Sequence, residues 1–197
     1  TATSGEASAT ADVTVAQVAA SIELSDTVLT FPSLGDTATL TATVKDAGGA
    51  AIPGVTATWT TSDSTVATVS DAGLVTAVTN GTATITATSG VLEATAAATV
   101  AQVASSIVLS DTVPTFASLT DTTQLTATVK DANGHEITDA TVLWATSDTT
   151  IATVSDAGLV TSVANGTATI TATSGLASAT AAVTVSQVAA SITLSPD

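Results

Sequence analysis

Aspartates in predicted turns are the residues of this sequence best suited to hold a ligand. The first half of the chain carries Asp26, Asp36, Asp46, Asp63 and Asp71 in such segments. Carboxylate oxygens are preferred ligands of Ca²⁺. However, an Asp at the first position of a turn commonly bonds its own backbone, and the sequence has no D-x-D-x-D-G loop. Calcium binding and purely local turn bonding therefore both stay open.

Residues for other active-site chemistry are scarce in the sequence. The chain has no cysteine and one histidine, His135, in the turn Asn133-Gly134-His135. Nucleophilic catalysis by serine needs a histidine held beside it, and structural zinc needs a set of Cys and His ligands. A glycine-rich phosphate loop is also missing. We therefore expect no catalytic residue, no enzyme activity and no required cofactor.

The charge of the chain and its lack of a long apolar run each argue against one kind of partner. Seventeen acidic residues against two basic ones give a formal net charge of −15. Binding to a nucleic acid backbone depends on Lys and Arg that displace counterions, so we expect no nucleic acid partner. The sequence also lacks an apolar run of the roughly 20 residues that a membrane helix needs, so we expect no membrane insertion in this segment.

Repetition with a period of 85 residues divides the chain. VSDAGLVT occurs at 69–76 and again at 154–161, and Ile22, Ile107 and Ile192 have the same spacing. A fixed period of this kind defines the modules of the chain. The predicted boundaries are the end of a preceding repeat at 1–18, complete repeats at 19–103 and 104–188, and the start of a following repeat at 189–197. We expect the parent array to continue in both directions.

Within a repeat, apolar residues alternate with threonines at a period of two. TATLTATV (37–44) and TATITATS (82–89) show this pattern, and turn signals such as Asp71-Ala72-Gly73 separate the runs. Alternation predicts strands with one buried face. About seven short strands in each repeat predict an all-β fold of tandem immunoglobulin-like β-sandwiches. The predicted core residues are Trp59, Trp144, Ile85, Ile170, Leu40 and Leu125, and we expect the tryptophan to be the largest buried residue of each repeat.

The sequence also resembles a known family. The run WTTSDSTVATVSDAGLVTAVTNGTATITATSG (59–90) and its counterpart at 144–175 are similar to the bacterial immunoglobulin-like domain of group 2. The segments TATVKDAGGAAIPGV (41–55) and TATVKDANGHEITDA (126–140) are closer to the group 1 domains of invasin and intimin stalks. The resemblance implies extracellular arrays in bacterial surface proteins and adhesins, or decorations on phage virion proteins. It implies no enzyme activity.

The segment between repeats predicts a stiff connection. AAATVAQVASSIVLS (96–110) contains neither Gly nor Pro, whereas a flexible linker would be rich in Gly and Ser. The last strand of one repeat therefore leads almost directly into the first strand of the next. If calcium stiffens these junctions, the candidates are Asp26 and Asp111, which we expect to lie nearest to them. The predicted partners are neighbouring repeats of the same chain, with laterally associated copies as a further option.

The sequence supports one main hypothesis about function and two alternatives. The main hypothesis is a non-catalytic stalk or spacer of a long extracellular bacterial surface protein or adhesin, which projects a distal binding region. One alternative is a subunit of an assembled extracellular filament or secreted fibre. The other is a module that binds glycans or proteins, such as a phage surface decoration.

Overall fold

A computed structural model of the chain shows β-strands and no helix within the residues that it describes, 1–12 and 16–189. No helix in that part of the chain is therefore long and apolar enough to cross a membrane. The first two strands, β1 (Ala2–Ser4) and β2 (Ala7–Ala9), form a hairpin. Its register is that of the hairpin found 85 residues later, where Ala87 pairs with Ala94 as Ala2 pairs with Ala9. The predicted start of a following repeat, at 189–197, lies outside the described residues except for its first residue.

Nine strand segments build the repeat predicted at 19–103. They are β3 (Ala19–Leu24), β4 (Val28–Phe31), β5 (Thr37–Thr39), β6 (Ala42–Asp46), β7 (Thr58–Thr61), β8 (Ala67–Val69), β9 (Leu74–Ala77), β10 (Gly81–Ser89) and β11 (Leu92–Val100). One sheet has the order β4-β11-β10-β7, with β4 parallel to β11. The facing layer consists of the pair β3-β6 and the three strands β5-β9-β8. The result is the two-layer sandwich that the alternating pattern predicts.

The repeat predicted at 104–188 has the same architecture. Its segments are β12 (Ser106–Leu109), β13 (Thr115–Phe116), β14 (Thr122–Gln124), β15 (Ala127–Lys130), β16 (Leu143–Thr146), β17 (Ala152–Val154), β18 (Leu159–Ser162), β19 (Gly166–Ser174) and β20 (Ala177–Val185). One sheet has the order β13-β20-β19-β16, and the other layer contains β12-β15 and β14-β18-β17.

Each repeat has nine segments instead of the predicted seven, because the sequence pattern predicts a first strand at 22–24 but not the segment β4, and because the predicted second strand, 37–44, is divided into β5 and β6. The first strand changes sheets, so that β3 pairs with β6 while β4 joins β11 in the opposite layer. The second strand breaks at Leu40, whose backbone N–H donates to the carbonyl of Gly73 in the turn between β8 and β9. The alternation of Val55, Ala57 and Trp59 predicts a third strand from Val55, but β7 begins only at Thr58, after the turn at Gly54, where φ is +78°.

The core of each repeat lies between its two layers. Leu40, Ile85, Leu125 and Ile170 are the largest fully enclosed side chains, each at most 1% exposed. The tryptophans differ from the expectation, because both are only partly buried at the margin of the core. The Trp59 ring packs against the turn at Gly73, so one side of the ring stays open to a surface groove. The core is otherwise filled by Ala, Val, Leu and Ile, with one Phe in each repeat.

Candidate functional site

The connection between the repeats is hydrogen-bonded on both sides. In the segment that follows β11, the N–H of Ala101 donates to Phe31 O at 3.0 Å, and the N–H of Val103 donates to Pro32 O at 2.9 Å. The N–H of Ser105 then donates to Lys130 O in the second repeat at 2.8 Å. The backbone hydrogen-bond partners of this segment thus change from the first repeat to the second within a few residues. This arrangement explains why the segment needs neither Gly nor Pro.

The carboxylate of Asp131 lies at the centre of the junction. It directly follows strand β15, and its side chain is inaccessible to solvent. Oδ2 accepts hydrogen bonds from the backbone N–H of Leu34 and from Nε2 of Gln102, both at 2.9 Å. Oδ1 accepts from the turn amides of Asn133 and His135 at 3.0 and 2.9 Å. One oxygen therefore shapes the turn, and the other joins the second repeat to the first repeat and its linker.

Asn133 adds a second contact across the junction. Its Nδ2 donates to the carbonyl of Leu34 at 2.9 Å and to Oδ1 of Asp36 at 2.8 Å. The Leu34 peptide thus donates to the carboxylate of Asp131 and accepts from the amide of Asn133. Because each side supplies donors and acceptors in fixed positions, the contact specifies orientation as well as proximity.

Gln102 lies near the end of the first repeat and is held in place by Asn80 of the same repeat. Its backbone N–H donates to Oδ1 of Asn80 at 2.9 Å, and its Oε1 accepts from Nδ2 of Asn80 at 3.1 Å. Its own Nε2 is thereby directed towards Asp131 and, at 3.4 Å, towards the carbonyl of Glu136. Asn80 precedes Gly81 at the start of β10, so the Asn-Gly pair shapes the turn and also supports the junction.

The electrostatics of Asp131 favour the ionised form. Burial opposes the charge, but the hydrogen bonds from Gln102, Leu34, His135 and Asn133 outweigh it and hold the pKa of the carboxyl below its usual value. Asp46 is the counterpart of Asp131 in the first repeat. The hydrogen bond from Gln17, followed by that from the Ala50 amide, likewise lowers the pKa of Asp46.

The contacts of the junction recur with the period of the sequence. Nε2 of Gln17 donates to Oδ2 of Asp46 at 2.9 Å, as Nε2 of Gln102 does to Asp131. Near the end of the second repeat, the N–H of Gln187 donates to Oδ1 of Asn165 at 2.9 Å, as that of Gln102 does to Asn80. The side chains that change are those at positions 133 and 135, where the first repeat has Gly48 and Ala50.

The comparison with protein families decides the identity of the modules. The sequence profile described as bacterial Ig-like domain (group 2) matches residues 18–100 and 105–185. The chain belongs to this family. Each match covers one of the two sandwiches described above. The junction at Asp131 therefore connects two Ig-like domains. No protein of curated function matches the sequence.

Comparison with solved structures finds several that are similar to the chain. The S-layer protein rSbsC(31-844) is 26% identical at a TM-score of 0.41, over 86% of this chain and 28% of that one. The adhesin FdeC of Escherichia coli is 22% identical at a TM-score of 0.45, over 87% of this chain and 66% of that one. Human protocadherin-24 EC1-2 is 11% identical at a TM-score of 0.34, over 88% of this chain and 100% of that one. The chain spans less than a third of the S-layer structure.

The calcium candidates Asp26 and Asp111 do not contribute to the contacts of this junction. Each lies where the first strand changes sheets, between β3 and β4 or between β12 and β13. Oδ1 of Asp111 accepts from the N–H of Val113 at 2.8 Å, which is a local turn bond. Among residues 1–12 and 16–189, no three acidic or histidine side chains come together in a way that could hold a metal ion. Calcium at Asp26 and Asp111 stays a prediction.

The histidine has a structural position in the Ig-like junction. The side chain of His135 is half exposed, and its Nδ1 lies 3.7 Å from Oδ1 of Asp131. Its ring lies beside Gly35 of the first repeat, within 3.7 Å of the position that a Cβ would occupy there. No serine hydroxyl is hydrogen-bonded to His135 in the described part of the chain. The family to which the chain belongs points to a structural module.

The sequence contains a signal for the junction in two residues that are too far apart to form a short motif. Gln17 and Asp46 recur as Gln102 and Asp131 at the common period, but the two members of each pair are 29 residues apart. The local pattern therefore predicts only a turn residue at Asp131. Its second role depends on how one sandwich is placed against the next, which no local pattern contains.

Proposed function

We propose that the chain is a non-catalytic stalk segment of an extracellular bacterial surface protein or adhesin, in which each Ig-like repeat is locked to the next. The observation that carries this proposal is the bonding of the buried Asp131 carboxylate to Leu34 and Gln102. If the two domains moved freely, the covered carboxylate would lose its hydrogen-bond partners. This arrangement would be unfavourable, because an unpaired buried charge is costly. The junction therefore supports a defined orientation between successive repeats.

If the junctions are locked, the length of the array increases by a fixed amount with each repeat. The long strands β10 and β11 each contain nine residues, which corresponds to about 30 Å along the strand at 3.4 Å per residue. Each added repeat extends a semi-rigid rod by at least this amount, and the contacts of one repeat are made with its neighbours alone. Such a rod projects whatever it carries away from the surface to which it is anchored.

The charge of the chain suits a crowded surface. With a net charge of −15, parallel stalks repel one another and stay separate at high density. Strand β7 and its counterpart β16 are sheet edges, which in a neutral protein would invite pairing between chains. The charge supports the stalk over the laterally assembled filament.

Small-angle X-ray scattering tests the proposal. The chain would be compared with a variant lengthened by one further copy of residues 104–188, each with calcium and with a chelator. The proposal predicts a maximum dimension that grows by at least about 30 Å and no association with rising protein concentration. A compact lengthened variant would contradict the rod, and side-by-side association would replace the stalk with the filament. A contraction on chelation would support calcium at the junctions without changing either conclusion.

A further inference from the structure

Three Asn-Gly pairs in the sequence are sites where a side-chain amide can be lost without an enzyme. Asparagine is thermolabile, and it is most labile before glycine, which has no Cβ to hinder the attack of its backbone nitrogen. That nitrogen bonds to Cγ of the asparagine, the side-chain nitrogen leaves as ammonia, and a five-membered succinimide remains. Water then opens the ring to give aspartate or isoaspartate. The pairs are Asn80-Gly81, Asn133-Gly134 and Asn165-Gly166.

Two of the three pairs are held in strands. Gly81 and Gly166 are the first residues of the nine-residue strands β10 and β19. A Cβ at Gly81 would lie 2.9 Å from the side chain of Val66, and one at Gly166 would lie 2.6 Å from that of Ile151. The backbone of these glycines is therefore packed against neighbouring side chains, and its nitrogen reaches the asparagine only if the end of the strand opens.

The third pair lies in an exposed turn. Asn133 and Gly134 are both exposed, and a Cβ at Gly134 would meet nothing within 4 Å. The attacking nitrogen is held by one backbone hydrogen bond, from the Gly134 N–H to the carbonyl of Asp131 at 3.1 Å. A fluctuation of the turn alone therefore frees this nitrogen, and neither sandwich has to open.

The junction holds the group that leaves. Nδ2 of Asn133 donates to the carbonyl of Leu34 and to Oδ1 of Asp36, so the amide is directed towards the first repeat while the contact is made. After the reaction, an oxygen anion stands where this nitrogen was. It has no hydrogen to donate, and it faces two acceptors, one of which is itself a carboxylate. The reaction thus replaces two attractive contacts with repulsion, and the change is permanent because the ammonia is lost.

We propose that Asn133 is a site of spontaneous deamidation that unlocks this junction, whereas the Asn-Gly pairs in the strands persist. The unlocking rests on the proposed stalk function, since it requires a joint that is locked beforehand. The first repeat has Gly48 at the equivalent position, so its joint with the preceding repeat lacks this site. Ageing therefore weakens one joint of the array and spares the other.

Peptide mapping by mass spectrometry tests the site of modification. The full chain is kept in mildly alkaline buffer, and the exchange of –NH₂ for –OH is followed at all three asparagines. We expect Asn133 to convert to a mixture of aspartate and isoaspartate at least several-fold faster than Asn80 or Asn165. Asp36→Ala should speed the conversion of Asn133 several-fold, because it removes one acceptor of the leaving amide. Asp121→Ala is the matched control, since this residue stands at the equivalent position of the second repeat, at the end opposite to Asn133, and should leave the rate unchanged.

A substitution tests the consequence for the junction. Asn133→Asp reproduces the charge of the product, and it should lower the free energy of unfolding of the first repeat more than Asn133→Gly does. The reason is that the new carboxylate also repels Asp36, so the excess should shrink in high salt. Denaturant unfolding in a Trp144→Phe background, followed by the fluorescence of Trp59, measures the effect.

Three results would overturn the proposal. One is an Asn133 that stays intact over a period in which the chain unfolded in denaturant loses all three amides. Another is a rate at Asn133 that does not exceed the other two, or that does not respond to Asp36→Ala. The third is a first repeat that is as stable in Asn133→Asp as in the unsubstituted chain. The stalk proposal fails on a different result, a lengthened variant that stays compact, so the two failures are distinguishable.

Discussion

Nδ2 of Asn133 in the second repeat lies 2.8 Å from Oδ1 of Asp36 in the first, although the two residues are 97 positions apart in the chain. The same amide also donates to the carbonyl of Leu34. Two hydrogen bonds from one side chain therefore couple the modules. In the first repeat, Gly48 occupies the matching position and supplies no such side chain. The joints of the array thus differ in how strongly their turns can hold the preceding module.

Replacement of Asn133, which belongs to the second repeat, should lower the stability of the first repeat. We expect Asn133→Gly to lower the free energy of unfolding of the first repeat by roughly 1–3 kcal/mol, because it removes two side-chain hydrogen bonds that contribute about 0.5–1.5 kcal/mol each. Denaturant unfolding in a Trp144→Phe background, followed by the fluorescence of Trp59, measures this quantity. His135→Ala is the matched control, since it changes the same turn without removing a side-chain hydrogen bond across the junction. An unchanged first repeat in Asn133→Gly would show that the repeats are not coupled there.

The coupling should also depend on pH in one direction. The pKa of Asp131 is held below its ordinary value of 3.8 by its hydrogen bonds, despite the opposing effect of burial. A lowered carboxyl pKa contributes stability that is fully present above the unfolded value and is lost as the pH falls through the folded value. We therefore expect constant coupling from neutral pH down to about pH 4 and a loss in stronger acid.

Asp131→Asn separates this effect from general acid unfolding. The neutral amide should remove the acid-dependent part of the coupling, and the first repeat should be weaker at neutral pH. Asp148 provides the control, because the hydroxyl and amide of Thr150 lower its pKa in a local turn. Asp148→Asn should change the second repeat alone. Equal effects of the two substitutions on the first repeat would contradict the role of Asp131.

Much of the fold follows from the alternation of apolar residues, and the junction does not. Leu40 and Ile85 occupy apolar positions of the alternating runs 37–44 and 82–89, so their burial follows from local sequence even though β5 ends before Leu40. Asp131 and Asp46 have the same local sequence signal, Val-Lys-Asp-Ala, and the turn bonds of Oδ1 are the same in both. The bonds of Oδ2 require atoms from another module, and local propensity carries no information about them.

The partial exposure of the tryptophans has a comparable origin. The pattern places Trp59 at an inward position, but the turn at Gly73 approaches so closely that a Cβ there would lie 2.2 Å from the carbonyl of Leu40 and 3.2 Å from the Trp59 ring. The ring is therefore held at the rim, against backbone, instead of being driven into the core.

Gly73 should be among the least replaceable residues of the first repeat. Its φ is +78°, and a Cβ would overlap the Leu40 carbonyl, which is backbone and cannot move aside. We expect Gly73→Ala to cost several kcal/mol, or to prevent the first repeat from folding. Gly90→Ala is the matched control, since φ is +63° but nothing lies within 4 Å of the added atom. That change should cost only about 1–2 kcal/mol, and similar costs at both positions would contradict the close approach. Denaturant unfolding measures both.

Thr120 should be a site where a glycine stabilises the protein. It has a φ of +64°, in the left-handed region that a β-branched side chain avoids, and it stands where the first repeat has Gly35 at +77°. Relief of this strain is worth about 1–2 kcal/mol, and the added flexibility of the unfolded chain offsets part of it. We therefore expect Thr120→Gly to raise the free energy of unfolding of the second repeat by roughly 0.5–1 kcal/mol. Gly35→Thr, the reverse exchange, should lower that of the first, and a stabilising Gly35→Thr would contradict the argument.

The measurement that tests the locked junction most directly is a distance distribution between the two repeats. The chain has no cysteine, so Val91→Cys and Leu176→Cys place spin labels at two fully exposed hairpin tips that correspond to each other in successive repeats. Double electron–electron resonance should give one narrow distribution that broadens when Asp131→Ala and Asn133→Gly are combined. A distribution that is already broad in the unsubstituted junction, or one that stays narrow after both contacts are removed, would contradict the account.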